Sequence, residues 1–138
     1  IWAEERERAR SLEKIDTDFQ GFGSDIDGET IKLAMANAAR LPIGKKLQFE
    51  KRDIKDFQRH TERGTVLVNP PYGERLLDLQ EAERLYREMG KVFPQSHGWS
   101  YYIITPDEEF ETCFGRKADK RRKLYNGMIK CQLYMYFK

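Results

Sequence analysis

Cysteine is scarce: Cys113 and Cys131 are the only two in 138 residues. Two cannot frame a disulfide-stapled miniprotein, and neither has the paired cysteines or neighbouring histidines of a zinc site. Both are expected as reduced thiols of a cytoplasmic protein, with no metal. No run approaches the roughly 18 apolar residues of a membrane span, and the first 15 residues read as a charged helix instead of a signal peptide, so no membrane partner is expected. Ten glycines and five prolines are too few for a collagen-like or low-complexity chain. An excess of one charge is missing too. The 25 basic and 23 acidic residues leave +2, so any polyanion-binding patch must be local. His60 and His97 have no serine or acid in local register, which argues against histidine-based catalysis. What remains, with 39% hydrophobic and 35% charged residues, is one soluble globular domain. The first residue, Ile1, is not an initiator Met, and the expectation is a piece of something longer.

The hydrophobic periods alternate. Residues 1–14 predict a surface helix with a thin stripe of Trp2, Ala9 and Leu12, and the stretch around Phe19 and Phe22 predicts a strand running into a polar loop. Asp27 can cap a following helix whose buried face would be Ile31, Leu33, Ala34, Met35, Ala38 and Leu41, ended by Pro42 and Gly44. Leu47 and Phe49 alternate with charged neighbours in a second strand closing on Asp53. The run GTVLV before Asn69 has the pattern of a parallel strand buried on both faces. A helix from Asp78 to Val92 follows, then a strand in GWSYYIIT, then a short helix from Asp107 to Phe114 capped by Thr105 and Pro106. The end of the chain, GMIKCQLYMYFK, alternates with a period near two and predicts a terminal strand in a hairpin through Asn126 and Gly127. Strands alternating with helices imply an α/β fold, a mostly parallel sheet with an antiparallel edge.

Ligands of such sheets sit beyond the carboxyl ends of the strands, which draws attention to Asp25, Asp53 and Asn69. An acid there can accept from the two hydroxyls of a ribose; it can equally cap a helix or close a turn, and the sequence leaves both readings open for Asp25 and Asp53. Asn69-Pro70-Pro71-Tyr72 is sharper. The prolines rigidify the loop, so that the Pro70 carbonyl and the Asn69 carboxamide oxygen can face one point as two acceptors. Two acceptors holding both hydrogens of an exocyclic amine localise its lone pair toward an electrophile, and Tyr72 can stack on the base that bears it.

GSDID, KRDIKDF, VLVNPPYGERL and KLYNGMIKC together resemble the catalytic domain of the RlmL-type ribosomal RNA guanine-N2 methyltransferases, over nearly the whole chain. The resemblance implies a Rossmann-like class I methyltransferase fold, S-adenosylmethionine as cofactor, ribosomal RNA as partner and an upstream THUMP domain. The activity implied is methyl transfer to the N2 amine of a guanine in large-subunit (23S) RNA. Asp25 would then bind the cofactor ribose, Ile26 would pack on its adenine, and Asp53 would accept from the adenine amino group. Ile54 and Asn69 would complete the cofactor contacts, and Asn69, Pro70, Pro71 and Tyr72 would hold the target guanine. The same NPPY tetrad is shared with DNA adenine and protein glutamine methyltransferases, which are the second enzyme reading. A noncatalytic RNA-binding fragment of such a domain is the third.

The family's Gly-rich first strand and loop belong upstream of GSDID, where this chain has a charged helix, and Gly21, Gly23 and Gly28 do not replace them. Residues 1–138 therefore read as a partial catalytic domain, with a leading helix over 1–14 and sheet and helices over 18–138. The missing strand would lie between those ending at Asp25 and Asn69, so the chain by itself is expected to leave inner sheet edges open. Arg116, Lys117, Lys120, Arg121, Arg122 and Lys123 form a basic stretch that could grip phosphate near a splayed base, or be a solvated loop.

Overall fold

The computed structural model describes residues 1–14, 16–72 and 76–137, which form two compact units, Ile1–Lys51 and Arg52–Lys138. In the first unit, helix α1 (Trp2–Ser11) has acids in its first turn and arginines in its last, which suits the helix dipole, and it buries no residue. Strand β1 (Gly21–Asp25) runs parallel to β2 (Leu47–Lys51), pairing Gly21 with Leu47 and Asp25 with Lys51. Gly21 and Gly23 serve this pairing: a Cβ on either would lie 2.6 Å from the Leu47 or Phe49 side chain, so their bareness lets β2's apolar residues lie across β1.

Between these strands, α2 (Gly28–Ala38) starts at Asp27, whose side chain accepts the Glu29 N–H at 3.0 Å. Its expected buried face is too broad. Ile31 and Ala38 are buried and Ala34 partly so, whereas Leu33, Met35 and Leu41 are exposed. Residues 31, 34 and 38 form one narrow stripe, and a two-stranded sheet is wide enough to cover only that.

The second unit is a four-stranded sheet in the order β3 (Gly64–Val68), β4 (Trp99–Thr105), β6 (Ile129–Tyr136), β5 (Lys120–Asn126). The β3–β4 pair is parallel; β4–β6 and β6–β5 are antiparallel. Among the described residues β1 has β2 as its one strand partner and β3 has β4, so each leaves an edge without a ladder. Helix α3 (Leu76–Val92) sends Ala82, Tyr86, Met89 and Phe93, the last just past its end, onto Tyr101 and Ile103 of β4 and Tyr134 and Tyr136 of β6. The short α4 (Phe110–Phe114) adds Phe110 and Phe114. Close approach of the two helices requires Gly90, where a Cβ would sit 2.1 Å from the Phe114 carbonyl oxygen.

Three expectations change here. Strand β3 is not buried on both faces: Val66 and Val68 pack against the core, while Leu67 is 76% exposed, because α3 and α4 line only one face. The short helix starts at Phe110, not Asp107. A side-chain ladder precedes it, in which Thr105 Oγ1 accepts the Asp107 N–H and Asp107 Oδ1 accepts the Glu109 N–H. The loop alternative for the basic stretch fails from Lys120 to Lys123, which lie in β5, paired in register with Met135 to Gln132 of β6. Gly127, at φ +61°, closes this hairpin in the left-handed region.

Candidate active site

The loop after β3 is held from two sides within the second unit. On one side Asn126 Nδ2 of β5 donates to Tyr72 Oη at 2.9 Å, and Tyr72 Oη donates to Asn69 Oδ1 at 2.8 Å. On the other, Tyr86 Oη of α3 donates to the Pro71 carbonyl at 3.3 Å and lies 3.0 Å from Thr105 Oγ1. Since the Tyr86 proton goes to Pro71, the Thr105 hydroxyl donates to Tyr86 and accepts from the Asp107 N–H, so both hydroxyls are satisfied. Tyr86 and Thr105 are fully buried, and burial pushes the Tyr86 phenol upward, so it remains a donor.

These ties orient the groups that the sequence singles out. The Asn69 side chain is exposed and its carboxamide oxygen is turned toward Tyr72; Pro70 is buried, Pro71 exposed and Tyr72 half-buried. Burial also raises the Tyr72 phenol, so its hydroxyl keeps the proton it gives to Asn69. An amide oxygen has two lone pairs, so Asn69 Oδ1 can accept from Tyr72 and from one further donor. The carbonyl with an assigned donor is that of Pro71, and the expected Pro70 carbonyl lies on the buried residue beside it. Gly73, Glu74 and Arg75 of the same motif lie outside the described residues.

In the first unit, Asp25 ends β1 and its Oδ1 accepts the Asp27 N–H at 2.8 Å, while Asp27, not Asp25, caps α2. A carboxylate has about four acceptor sites, so Asp25 retains capacity for hydroxyl donors. Ile26 follows it, 66% exposed, as an apolar surface open to solvent. In the second unit, Asp53 caps the 3₁₀ turn Ile54–Asp56 by accepting the Lys55 N–H at 3.1 Å, which holds its carboxyl below the usual range; Lys55 Nζ stands 3.3 Å from its other oxygen. Ile54 packs partly against the core.

The basic residues are not equivalent. Arg121 makes a two-pronged ion pair with Glu111, Nε to Oε1 at 3.0 Å and Nη2 to Oε2, and its guanidinium lies over the Tyr134 ring. Arg116 lies over the adjoining rings of Phe114 and Tyr136, 5.3 and 4.8 Å from their centroids. Lys117, Lys120, Arg122 and Lys123 are exposed. Tyr86, Thr105 and Asn126 escaped sequence reasoning as site residues: Tyr86 carries the period of a core helix, and Asn126 that of a hairpin turn.

Strands alternating with helices in a mostly parallel arrangement, with an antiparallel hairpin at one edge, give this chain the class I methyltransferase fold. The solved structure described as "SMU.472, a putative methyltransferase complexed with SAH" superposes with a TM-score of 0.86, at 38% identity, over 98% of this chain and 36% of that one. Residues 1–135 match the profile of the RMKL-like methyltransferase domain, UPF0020, and the chain belongs to that family. Among its relatives, the Bacillus subtilis (strain 168) protein named "Putative RNA methyltransferase YpsC" is 39% identical over 99% of this chain and 36% of its own length. The "Ribosomal RNA large subunit methyltransferase K/L" of Shewanella amazonensis (strain ATCC BAA-1098 / SB2B) is 34% identical over 99% of this chain and 20% of its own length. The chain thus spans about a third or less of these proteins.

Proposed function

We propose that this domain serves S-adenosylmethionine-dependent methyl transfer to the exocyclic N2 amine of a guanine in 23S ribosomal RNA. The observation that carries the reading is the loop from Asn69 to Tyr72 at the carboxyl end of a parallel strand, oriented by Asn126 through Tyr72 and by Tyr86 through Pro71. The names of the relatives support RNA as the substrate class. Asn69 Oδ1 would accept one amine hydrogen beside Tyr72 and turn the nitrogen lone pair toward the methyl group. The amine proton would leave to solvent, since no side chain within the described loop is a base at neutral pH. When bound, S-adenosylmethionine supplies the electrophilic methyl carbon.

The donor set of the first unit fits such a cofactor. Asp25 offers carboxylate oxygens to a ribose, and exposed Ile26 offers an apolar face to a purine. Asp53, in the second unit, accepts the Lys55 N–H and keeps acceptor capacity for an amino donor. The test uses the complete protein with radiolabelled S-adenosylmethionine and, as acceptors, unmodified 23S RNA, duplex DNA and a release-factor protein. Label is expected in the RNA alone, as N2-methylguanosine after digestion; label in DNA adenine or in glutamine would overturn the reading.

The Asp25→Ala change is expected to raise the cofactor dissociation constant roughly 10-fold, by losing ribose hydrogen bonds. Calorimetric titration checks this, and a lower melting temperature with unchanged affinity would assign Asp25 to supporting the Asp27 turn only. For RNA, changing Arg122 and Lys123 to Ala should lower the slope of log affinity against log salt by about 0.7 for each lost phosphate contact. Arg121→Ala should leave the slope unchanged because Glu111 already takes its charge. Filter binding across a salt series separates the two variants.

A further inference from the structure

The β5–β6 hairpin tip has features that neither the core nor the loop accounts for. Met128, in the turn, is 97% exposed, and Tyr125, two residues before the turn's Gly127, is 61% exposed. Solvent-facing apolar side chains of this size are ordinary when scattered, but these two stand three residues apart on one turn. Cations flank them: Lys123 Nζ lies 5.4 Å from the Tyr125 ring centroid on the same strand face, and Lys130 is Tyr125's register partner on β6. The residue between, Asn126, is the one that donates to Tyr72 of the Asn-Pro-Pro-Tyr loop. One short turn therefore joins an exposed aromatic face, an unbranched flexible side chain and two ammonium groups to the loop that would hold the reacting base.

From this we infer that the hairpin tip binds the single-stranded RNA next to the methylated nucleotide: a flanking base stacks on Tyr125, Met128 packs against the step this base has left, and Lys123 and Lys130 take the adjoining phosphates. Every base has a π-face, and stacking on an exposed aromatic with cations at its rim is how single strands are held without reading their sequence. A base splayed into the Asn69–Tyr72 loop leaves its neighbour unstacked, and Tyr125 supplies the lost partner. The anionic backbone matches the lysines. The inference deepens the proposed reaction and rests on it for the identity of the RNA.

The test is the affinity of the complete protein for a fluorescein-labelled single-stranded RNA of about 12 nucleotides, within the usual footprint of single-strand sites, by anisotropy, beside the KM and kcat for 23S RNA. Tyr125→Ala should raise both the dissociation constant and KM roughly 10-fold, the scale of one lost base stack, with kcat and cofactor affinity held and Tyr125→Phe restoring wild-type values. Met128→Ala, at a site too exposed to disturb folding, should raise them severalfold. Dissociation constants within about twofold of wild type for both alanine variants would overturn the inference, as would equal weakening of duplex DNA and single-stranded RNA. Failure of the proposed reaction reads differently: wild type would then transfer no methyl to RNA, while the anisotropy comparison still decides what the tip binds.

Discussion

Asn69→Ala is expected to lower methyl transfer by about 10² to 10³-fold, the scale for removing one preorganised polar contact from a reacting centre, while cofactor affinity stays near wild type. Three observations set this expectation. Asn69 is the first residue past β3, so its backbone position comes from a paired strand instead of a free loop. Its carboxamide is oriented before any substrate arrives, because Asn126 donates to Tyr72 and Tyr72 donates to Asn69 Oδ1. Its exposure means that alanine creates no cavity, so the stability change should stay within about 0.5 kcal/mol. Single-turnover transfer of labelled methyl, run beside cofactor calorimetry, reads the two effects separately. A parallel loss of both would mean that Asn69 holds the cofactor more than the amine.

Phe110→Ala should destabilise the second unit by about 3–5 kcal/mol, the range for removing a buried phenyl ring and leaving a cavity. Phe110 is fully buried, with ring centroids 5.0 Å from Tyr86, 4.7 Å from Tyr134 and 5.2 Å from Phe114. These neighbours come from α3, β6 and α4, all tied into paired or helical backbone, so the space cannot readily collapse. Thermal unfolding of the complete protein, followed by near-ultraviolet circular dichroism, should show the second unit melting more than 10 °C lower, given about 4–8 °C per kcal/mol for a unit of this size. The same change frees the Tyr86 ring, whose hydroxyl holds Pro71, so transfer should fall even below the melting point. A shift of only a few degrees would mean that the aromatic cluster repacks.

The Phe110 and Asn69 experiments probe two layers of one arrangement. The aromatic cluster positions Tyr86, Tyr86 positions Pro71, and the hairpin positions Tyr72 and through it Asn69. Burial raises the phenols of Tyr86 and Tyr72 further above neutrality, and each hydroxyl donates its proton to a loop acceptor. A loop clamped at both ends loses little entropy on taking a substrate amine, which is the physical content of preorganisation.

Much of this protein was determined by local sequence alone. The alternation of strand and helix follows from apolar periods of two and 3.6. The start of α2 follows from Asp27, and the hairpin turn from Asn126-Gly127, where the backbone needs a positive φ that glycine supplies freely. The Asn-Pro-Pro-Tyr loop announces itself because two prolines after a strand admit few conformations. Other features only the tertiary structure decided, because they depend on which surfaces meet. Leu33 and Met35 fit an apolar stripe yet are exposed, since a two-stranded sheet covers only the row through Ile31 and Ala38. Arg121 belongs to a basic run yet is consumed by Glu111, ten residues earlier, once β5 lies along β6. The contact of Asn126 with Tyr72 spans 54 residues, and no local pattern encodes a hydrogen bond that exists only when the strand register brings a hairpin tip to the end of another strand.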